Sequence, residues 1–553
     1  MKPSYLRLPL AVFIAALLAV GCGGGGASSS YNNSGPSSPA PSPAPSWPDS
    51  EVTPTPTGAA YYFSDCQSGA HAGCVAGDNA NAGTSPGAPK RNLAGFNVNA
   101  LPRGSQVLFA RGGAWTAFQV VVQNLNATPT EPIFFDSYAP SWGGSAAPWF
   151  KSNTITGAFE FGTWNNQDND GGYVVRNLKL DGEGVGMWGL WLRDNMRNLI
   201  AENLEITGFE IGVHSQSGQP YGVTSFTLRN SIIHNNSEMG MLGSASDSVI
   251  ENNTIASNNF SGSGFSHGIY LGSGSHESRN MIVRGNTFAD NSVVGGVCTG
   301  GNFTVHGQWN GLLVERNTIT QAASAGGCYG ISINSAYSSP EWFRNLIVRG
   351  NTIVNLGNCS ICLTSAPGAI VENNLIANTQ TTYHAGVLIP DRDADVGDDL
   401  DTGAIVRNNT MYLAQPGAGA GVVTRAAAGS NLQVVSNLIY FGAGASATHT
   451  CFEHTAIADY DAFANNLCYH AGSNGRWSAG YATLANAQAA GFDIDGLSSD
   501  PQFAAPPAAG NNWDDALSAT SPAVNAGHAT SSSAQDRLGI TRSVPDIGSR
   551  ERQ

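Results

Sequence analysis

Lysine is nearly absent: in 553 residues it occurs only at Lys2, Lys90, Lys151 and Lys179. Charge of either sign is sparse at 12%, and the balance is acidic, with a formal net charge of −15. Such a chain offers no basic surface to nucleic acid, which is excluded as a partner. An anionic polysaccharide would be repelled as well, unless arginine or a bound cation offset the charge locally. Helical periodicity is missing too: Gly, Asn, Thr and Ser dominate between short apolar runs, which argues against leucine-rich or other helical repeats. The zinc-protease pattern H-E-x-x-H and the phosphate-binding P-loop do not occur.

What is present is a repeat. The stretch from His267 to Asn291 opens with apolar residues after a glycine (Gly268, Ile269, Leu271) and passes through a polar turn to an alternating run (Met281, Val283). It ends in an asparagine before a hydrophobe (Asn286, Phe288). The same asparagine recurs as Asn177, Asn203, Asn230, Asn253, Asn286, Asn317, Asn351, Asn374, Asn409, Asn437 and Asn466. Its spacing of about 23 to 35 residues is that of stacked repeats. A constant local pattern with variable spacing predicts coils of a solenoid, in which strands keep register and insertions enter loops. Side chains of short strands alternate in and out, so Ile, Leu and Val of successive coils stack into a narrow core. Asparagine suits the corner because it tolerates the left-handed backbone and because its amide can bond the same amide one coil above.

A solenoid also removes the usual size limit on a single core, since each coil contacts only its neighbours. Of nine cysteines, Cys22 stands apart, and the even remainder favours disulfides in an exported chain. Cys66 with Cys74 and Cys451 with Cys468 are the natural local pairs. Cys298, Cys328, Cys359 and Cys362 lie on neighbouring coils, where stacking could bring Cys328 near Cys359; their connectivity stays open. Cys359-Ser-Ile-Cys362 has redox spacing, but it sits where other coils carry an inner strand, which favours a structural role.

Residues 1–22 have an export layout: Lys2 and Arg7, an apolar segment from Leu8 to Val20, then Gly21-Cys22. The run Leu18-Ala-Val-Gly-Cys22 resembles the lipobox of bacterial lipoproteins. That resemblance implies lipidation of Cys22, contact with a membrane through the lipid anchor only, and, with Gly23 following, a place at the outer membrane or cell surface. Ordinary signal cleavage nearby is the alternative. Residues 23–58 are Gly, Ser, Pro and Thr with almost no apolar content, and read as a tether.

Residues 59–165 begin YYFSDCQSGAHAGCVAGDNANAGTSPGAPKRNL and reach LPRGSQVLFARGGAW. Through Asp78, Asn79, Gly83, Thr84, Pro89, Pro102, Gly104, Val107, Phe109, Gly113 and Trp115 this segment resembles the opening of secreted β-helix proteins of the pectate lyase-like superfamily. Residues 481–553 resemble their closing segment through Asp500, Pro501, Phe503, Ser521, Pro522, Ala523, Ala526, Gly527, Asp536, Gly539, Arg542, Pro545, Asp546, Ile547 and Gly548. The resemblance implies an all-β fold: a right-handed parallel β-helix solenoid with an N-terminal cap (59–165), coils over 166–480 and an irregular closing segment (481–553). The cap would cover the raw sheet edge of the stack.

In that superfamily the active groove lies on the outward face of one sheet, a warrant from fold alone. Aligning the inner strands on the small residue before the apolar pair (GLWLRDN, IGVHSQS, MGMLGSA, HGIYLGS, GGVCTGG, YGISINS and onward) gives an outward column. It reads Trp191, His214, Leu242, Tyr270, Cys298, Ser332, Cys362, Leu388 and Val423. Beside it run Arg193, Gln216, Ser244, Gly272, Gly300, Asn334, Thr364 and Arg425. Trp188 and Trp191, with Asp194 and Gln216, are candidate substrate-binding residues, because indole faces stack on sugar rings. Arg193 suits a uronate carboxylate. Together with His214, Tyr270 and His267 it forms the candidate catalytic set for β-elimination. A plain solvated face is the competing reading, and His267 can equally bond a turn.

The insertion PDRDADVGDDLDTG supplies Asp391, Asp393, Asp395 and Asp398, with Asp399 and Asp401. Alternating Asp near Gly397 offers the hard oxygen ligands that Ca²⁺ requires, although no Glu closes the loop; calcium and a solvated acidic loop stand side by side. The alignment puts this loop roughly 30 Å from Arg193 at about 4.8 Å per coil, as a separate site. The Asn-Thr-Asp, Gly-His-Gly and Arg-Ile-Lys motifs of polygalacturonases and the Asp-Pro-His-Asp motif of alginate epimerases are absent. The reading is a surface-tethered monomer that engages polysaccharide, either as a lyase of an acidic glycan or as a non-catalytic glycan-binding or adhesive protein.

Overall fold

The structure is a computed structural model and describes residues 48, 51–162, 170–193, 196–216, 222–322, 326–414, 419–445, 448–472, 475–505 and 514–552. Cys22, the export segment, most of the tether and Asp194 lie outside the described residues. Each repeat contributes strands to three faces, and each strand pairs in parallel with its counterpart one coil on. The strand His267–Arg284 shows the pattern. Its first half pairs with the first half of Gly301–Glu315, its second half with the second half, and Thr287–Ala289 follows to pair with Thr318–Thr320. This is a right-handed parallel β-helix.

Strand alternation builds the core. On the first face Phe159, Leu190, Val213, Met241, Ile269, Phe303, Ile331, Ile361, Val387, Val422 and Phe452 fall in one inward column, all within 1% of complete burial. Burying each such side chain contributes roughly 1.5–3 kcal/mol.

The corners use two neighbouring positions where one was expected. From Asn253 through Asn286, Asn317, Asn351, Asn374, Asn409 and Asn437 to Asn466, each amide nitrogen donates to the oxygen of the next at 2.9–3.0 Å. Asp493 accepts from Asn466 and ends the ladder. The left-handed conformation belongs to the residue just before: Asn252, Gly285, Arg316, Gly350, Asn373, Asn408, Ser436 and Asn465 have φ of 51–64°. Asn177, Asn203 and Asn230 also have positive φ (51–59°) and occupy this preceding position, since Ser231 stands over Asn253. They are therefore corner residues outside the amide ladder. A shorter ladder runs through Asn236, Asn258, Asn291 and Asn302. It explains the small residue before each inner strand, because a Cβ at Gly268 would lie 2.9 Å from the Asn291 side chain.

A third column had not been anticipated. At the ends of the second-face strands charge alternates strictly: Arg176, Glu202, Arg229, Glu251, Arg284, Glu315, Arg349, Glu372 and Arg407 stand in register, with Asp136 bonded below Arg176. Arg229, Arg284, Arg349 and Arg407 thus pair with the glutamate one coil below at 2.7–2.9 Å, and Arg176 with Asp136 at 2.6 Å. Both terminal segments dock beside this column. Arg229 binds Glu51 O and Thr53, and the closing segment runs along the corner through Gln535, Ser533 and Asp546, held by Asn373 and Asn408.

The stack starts earlier than residue 166. Ala60–Phe63 pairs in parallel with Gln106–Ala110, which pairs with Ile133–Tyr138 and onward to Asp170–Arg176, so the capping segment is itself coiled. At the other end the short helix Leu484–Ala489, N-capped by Thr483, lets Phe492 close the core against Phe463 and Trp477. Disulfides join Cys66 to Cys74 and Cys451 to Cys468. The central four pair as Cys298–Cys328 and Cys359–Cys362; Cys328 does not reach Cys359, because Cys298 lies on a hairpin folded over Cys328. Cys359 and Cys362 are buried with Ala385, Leu388, Ala420 and Val423.

Candidate active groove

The outward column of the first face follows from strand register: Glu160, Trp191, His214, Leu242, Tyr270, Thr304, Ser332, Cys362, Leu388, Val423 and Glu453. It corrects the alignment at one coil. Cys298 and Gly300 do not belong to the groove strand, because Val293–Val294 and Val297–Cys298 form an antiparallel hairpin. The strand of that coil begins at Gly301, and Thr304 and His306 take the two outward places. The cause is local: the small residue used for alignment is here Asn302, which ends the shorter amide ladder.

Two clusters lie on this face. In the first, Arg193 pairs with Glu160 and sits 3.8 Å over the Trp191 ring. Trp188 packs 4.0 Å from Trp191, and the His214 ring stacks on Trp191 at 6.3 Å within 3° of parallel. Burial lowers the His214 pKa to about 4, so it is neutral at pH 7. Burial also raises Glu160 despite Arg193. The guanidinium expected to hold a uronate is thus already matched by a carboxylate of this chain, one hidden in the segment read as a cap. Gln216 stands beside His214, with its side-chain oxygen buried.

The second cluster gathers residues from several coils. The hydroxyls of Tyr270 and Tyr337 bond each other, and the His306 ring lies 5.5 Å from one ring and 5.2 Å from the other. Glu341, fully buried, accepts the N–H groups of Gly307, Ala336 and Tyr337, and its oxygen is 3.8 Å from His306 Nδ1. Burial, with Arg392 nearby, lowers His306 to about 4. Burial, then Tyr337 and Glu341, pushes the Tyr270 phenol far above its usual range. His267 stacks on Tyr270, but its Nδ1 accepts Gly301 N–H at 3.0 Å and its pKa falls to about 3 through burial and His306. Its Nδ1 thus fixes the strand entry, the structural role open to it in the sequence. The run Gly264-Phe265-Ser266-His267-Gly268 has the spacing of a nucleophile elbow, yet Ser266 is buried and its carbonyl binds Asn259; the strand that follows it is part of the stack, with no acid–base partner aimed at its hydroxyl among the described residues.

The acidic insertion belongs to this second cluster. Asp391 accepts from Asn334 at 3.1 Å, Asp398 from the Glu341 N–H at 2.7 Å, and Asp399 pairs with Arg344 at 2.7 Å. The loop therefore folds back over the coil of Asn334 and sets Arg392 near His306, in the second cluster and coils away from Arg193. Its carboxylates do not suit Ca²⁺. Asp393 and Asp395 are exposed. Among the described residues, the sets of three or more His, Cys, Asp or Glu with ligand atoms within 4.8 Å are Cys451, Cys468 and His470, and Cys359, Cys362 and Asp391. Asp391, Asp393, Asp395 and Asp398 form no such set together; Asp391 and Asp398 are each engaged by a different coil residue, Asn334 and Glu341.

The family model for the right handed beta helix region matches residues 164–340 and 310–459, together more than half of the chain. The chain belongs to the right-handed β-helix family. Solved β-helix structures similar to it include pectate lyase Pel9A, 14% identical over 90% of this chain and 97% of that one, with a TM-score of 0.36. The A-module of mannuronan C-5 epimerase AlgE6 from Azotobacter vinelandii is 17% identical over 72% and 91%, with a TM-score of 0.42. An alginate lyase from Paenibacillus sp. str. FPU-7 is 13% identical over 66% and 94%, with a TM-score of 0.28. No curated protein matches the chain. At this identity the chemistry of the β-helix has to be argued from its own residues.

Proposed function

We propose that this β-helix engages polysaccharide along its groove and cleaves an acidic glycan by β-elimination at Tyr270, His306 and Tyr337. The observation that carries this reading is the convergence of unlike groups on one stretch of the groove: the Tyr270 and Tyr337 hydroxyls bond each other and the His306 ring lies 5.5 and 5.2 Å from their rings. A neutral imidazole beside a protonated phenol can serve as base and acid. His306, neutral at pH 7, accepts the proton from the carbon next to the uronate carboxylate. Arg392, 3.8 Å from Asp391 and with 46% of its side chain exposed, pairs with that carboxylate and stabilises the charge that develops. Tyr270, held protonated, donates to the leaving glycosidic oxygen. One C–H and one C–O bond break and a carbon–carbon double bond forms, so no water is consumed.

Incubation with a panel of uronate polymers, followed by the absorbance of the unsaturated product, tests the reading. No product from any polymer, with binding retained, would favour the second reading, a non-catalytic glycan-binding or adhesive protein. That reading is supported by Trp188, half-buried beside a guanidinium already matched by Glu160, whereas Trp191 is buried under Arg193 and His214. In either case the Cys22 lipobox and the tether through residue 58 support a lipid-anchored place at the outer membrane or cell surface. Cys22→Ser should move the protein from the membrane fraction to the soluble one.

A further inference from the structure

Where the closing segment leaves the corner column it lines a half-open cavity of about 350 Å³ against the ends of the second-face strands. Its walls carry Arg316, Arg349, Arg407 and Arg537 with Glu372 and Asp536, a concentration of arginine in a chain of net charge −15. Most of these charges are matched. Arg349 holds Glu315, Arg407 holds Glu372 and Arg537 holds Asp515. The Asp536 oxygens accept the backbone N–H groups of Leu538, Ile540 and Glu551. Arg316 has no ion-pair partner among the described residues.

Arg316 also stands where an arginine is least expected. It occupies the left-handed corner with φ 54°, a position filled at the neighbouring corners by Asn252, Gly285, Gly350 and Asn373. A long side chain is disfavoured in that conformation, and such residues collect at functional sites. A Cβ at Gly350 would lie 3.4 Å from Arg316 Cγ, so the arginine stem lies across the glycine of the next coil, and both residues line the cavity.

We propose that this cavity binds a small oxyanion, a carboxylate or a sulfate, with Arg316 as the principal cation and Arg349 and Arg537 as flanking donors. Guanidinium forks suit both groups, and the volume is at the lower end for ligand pockets, fitting one charged group with at most a sugar ring. The site lies on a different face from the groove and stands independently of the lyase reading.

The test is calorimetric titration of the full chain with glucuronate and with sulfate, for the wild type and for Arg316→Asn. Asparagine is the residue at the corners of Asn373 and Asn408, so the variant should fold and melt at or above the wild-type temperature. Binding should weaken at least tenfold. Equal wild-type affinity for the two anions would assign a plain oxyanion site, and a tenfold preference for glucuronate would assign a sugar acid. Undetectable binding to the wild type, or unchanged binding in Arg316→Asn, would overturn the proposal. Arg279→Gln, at an exposed ion pair with Glu277 outside the cavity, should bind as the wild type does.

Discussion

The two groove clusters share one outward face, three coils apart, yet they differ in how they are made. The Trp188, Trp191, Arg193 and His214 cluster comes from adjacent strands, and its charge is closed off by Glu160 directly beneath. The Tyr270, His306 and Tyr337 cluster needs an insertion after Ser332 to supply Tyr337 and Glu341, and a second after Ile389 to supply Asp391 and Arg392. Stacking alone yields a ladder of like positions, each satisfied by the next coil. Chemistry requires unlike groups to converge, and here loops that fold back across coils bring them together.

The largest expected effect tests which cluster reacts. Tyr270→Phe and His306→Gln should each lower turnover by about 10²–10⁴-fold, the usual contribution of a positioned acid or base, with glycan affinity nearly intact in a binding assay. Arg193→Ala should change turnover less than about tenfold while costing about 3–5 kcal/mol in denaturant unfolding, because Glu160 is left buried without its cation. Abolished turnover in Arg193→Ala at unchanged stability would move the active site back to the first cluster.

The amide ladder supplies a structural contrast to both clusters. Asn317→Leu should cost about 1–3 kcal/mol, since it orphans the buried Asn286 N–H and the Val283 carbonyl. Position along the stack should matter little. Asn466, at the end, is as fully engaged through Asp493 and Val434, so Asn466→Leu should show a similar loss in the same unfolding experiment.

The insertion carries the effect that depends on pH. Asp401, its buried acid, accepts the Ala366 N–H at 2.8 Å, and burial raises its pKa to about 7 from a usual 3.8. A carboxyl whose folded pKa is raised contributes stability that is complete below its unfolded pKa and is lost as pH rises through the folded one. Melting temperature should therefore fall between about pH 4 and 7 by this contribution, and Asp401→Asn should flatten that limb of the profile. An identical slope in the variant would place the titrating group elsewhere, for example at Asp493, which burial raises to about 6.

Much of the architecture was legible in the residues. The spacing of Asn253, Asn286 and Asn317 and the alternation around Ile269 and Leu271 determined a parallel stack with an inward apolar column, because strand periodicity and a repeated corner are local properties. The local disulfides Cys66–Cys74 and Cys451–Cys468 were legible for the same reason. Charge alternation from Arg176 to Arg407 was present in the sequence as well, one residue from each repeat, but its meaning depends on register between coils. What only the tertiary structure decided is where the insertions go. Val297–Cys298 imitates an inner strand and displaced His306 from the alignment, while the acidic loop, remote from Tyr270 along the chain, bonds to Asn334 and Glu341 and carries Arg392 to the groove. Periodicity fixes the neighbours one coil above and below; a loop that leaves the repeat is placed by hydrogen bonds to coils it does not adjoin in sequence, and no spacing in the chain encodes that distance.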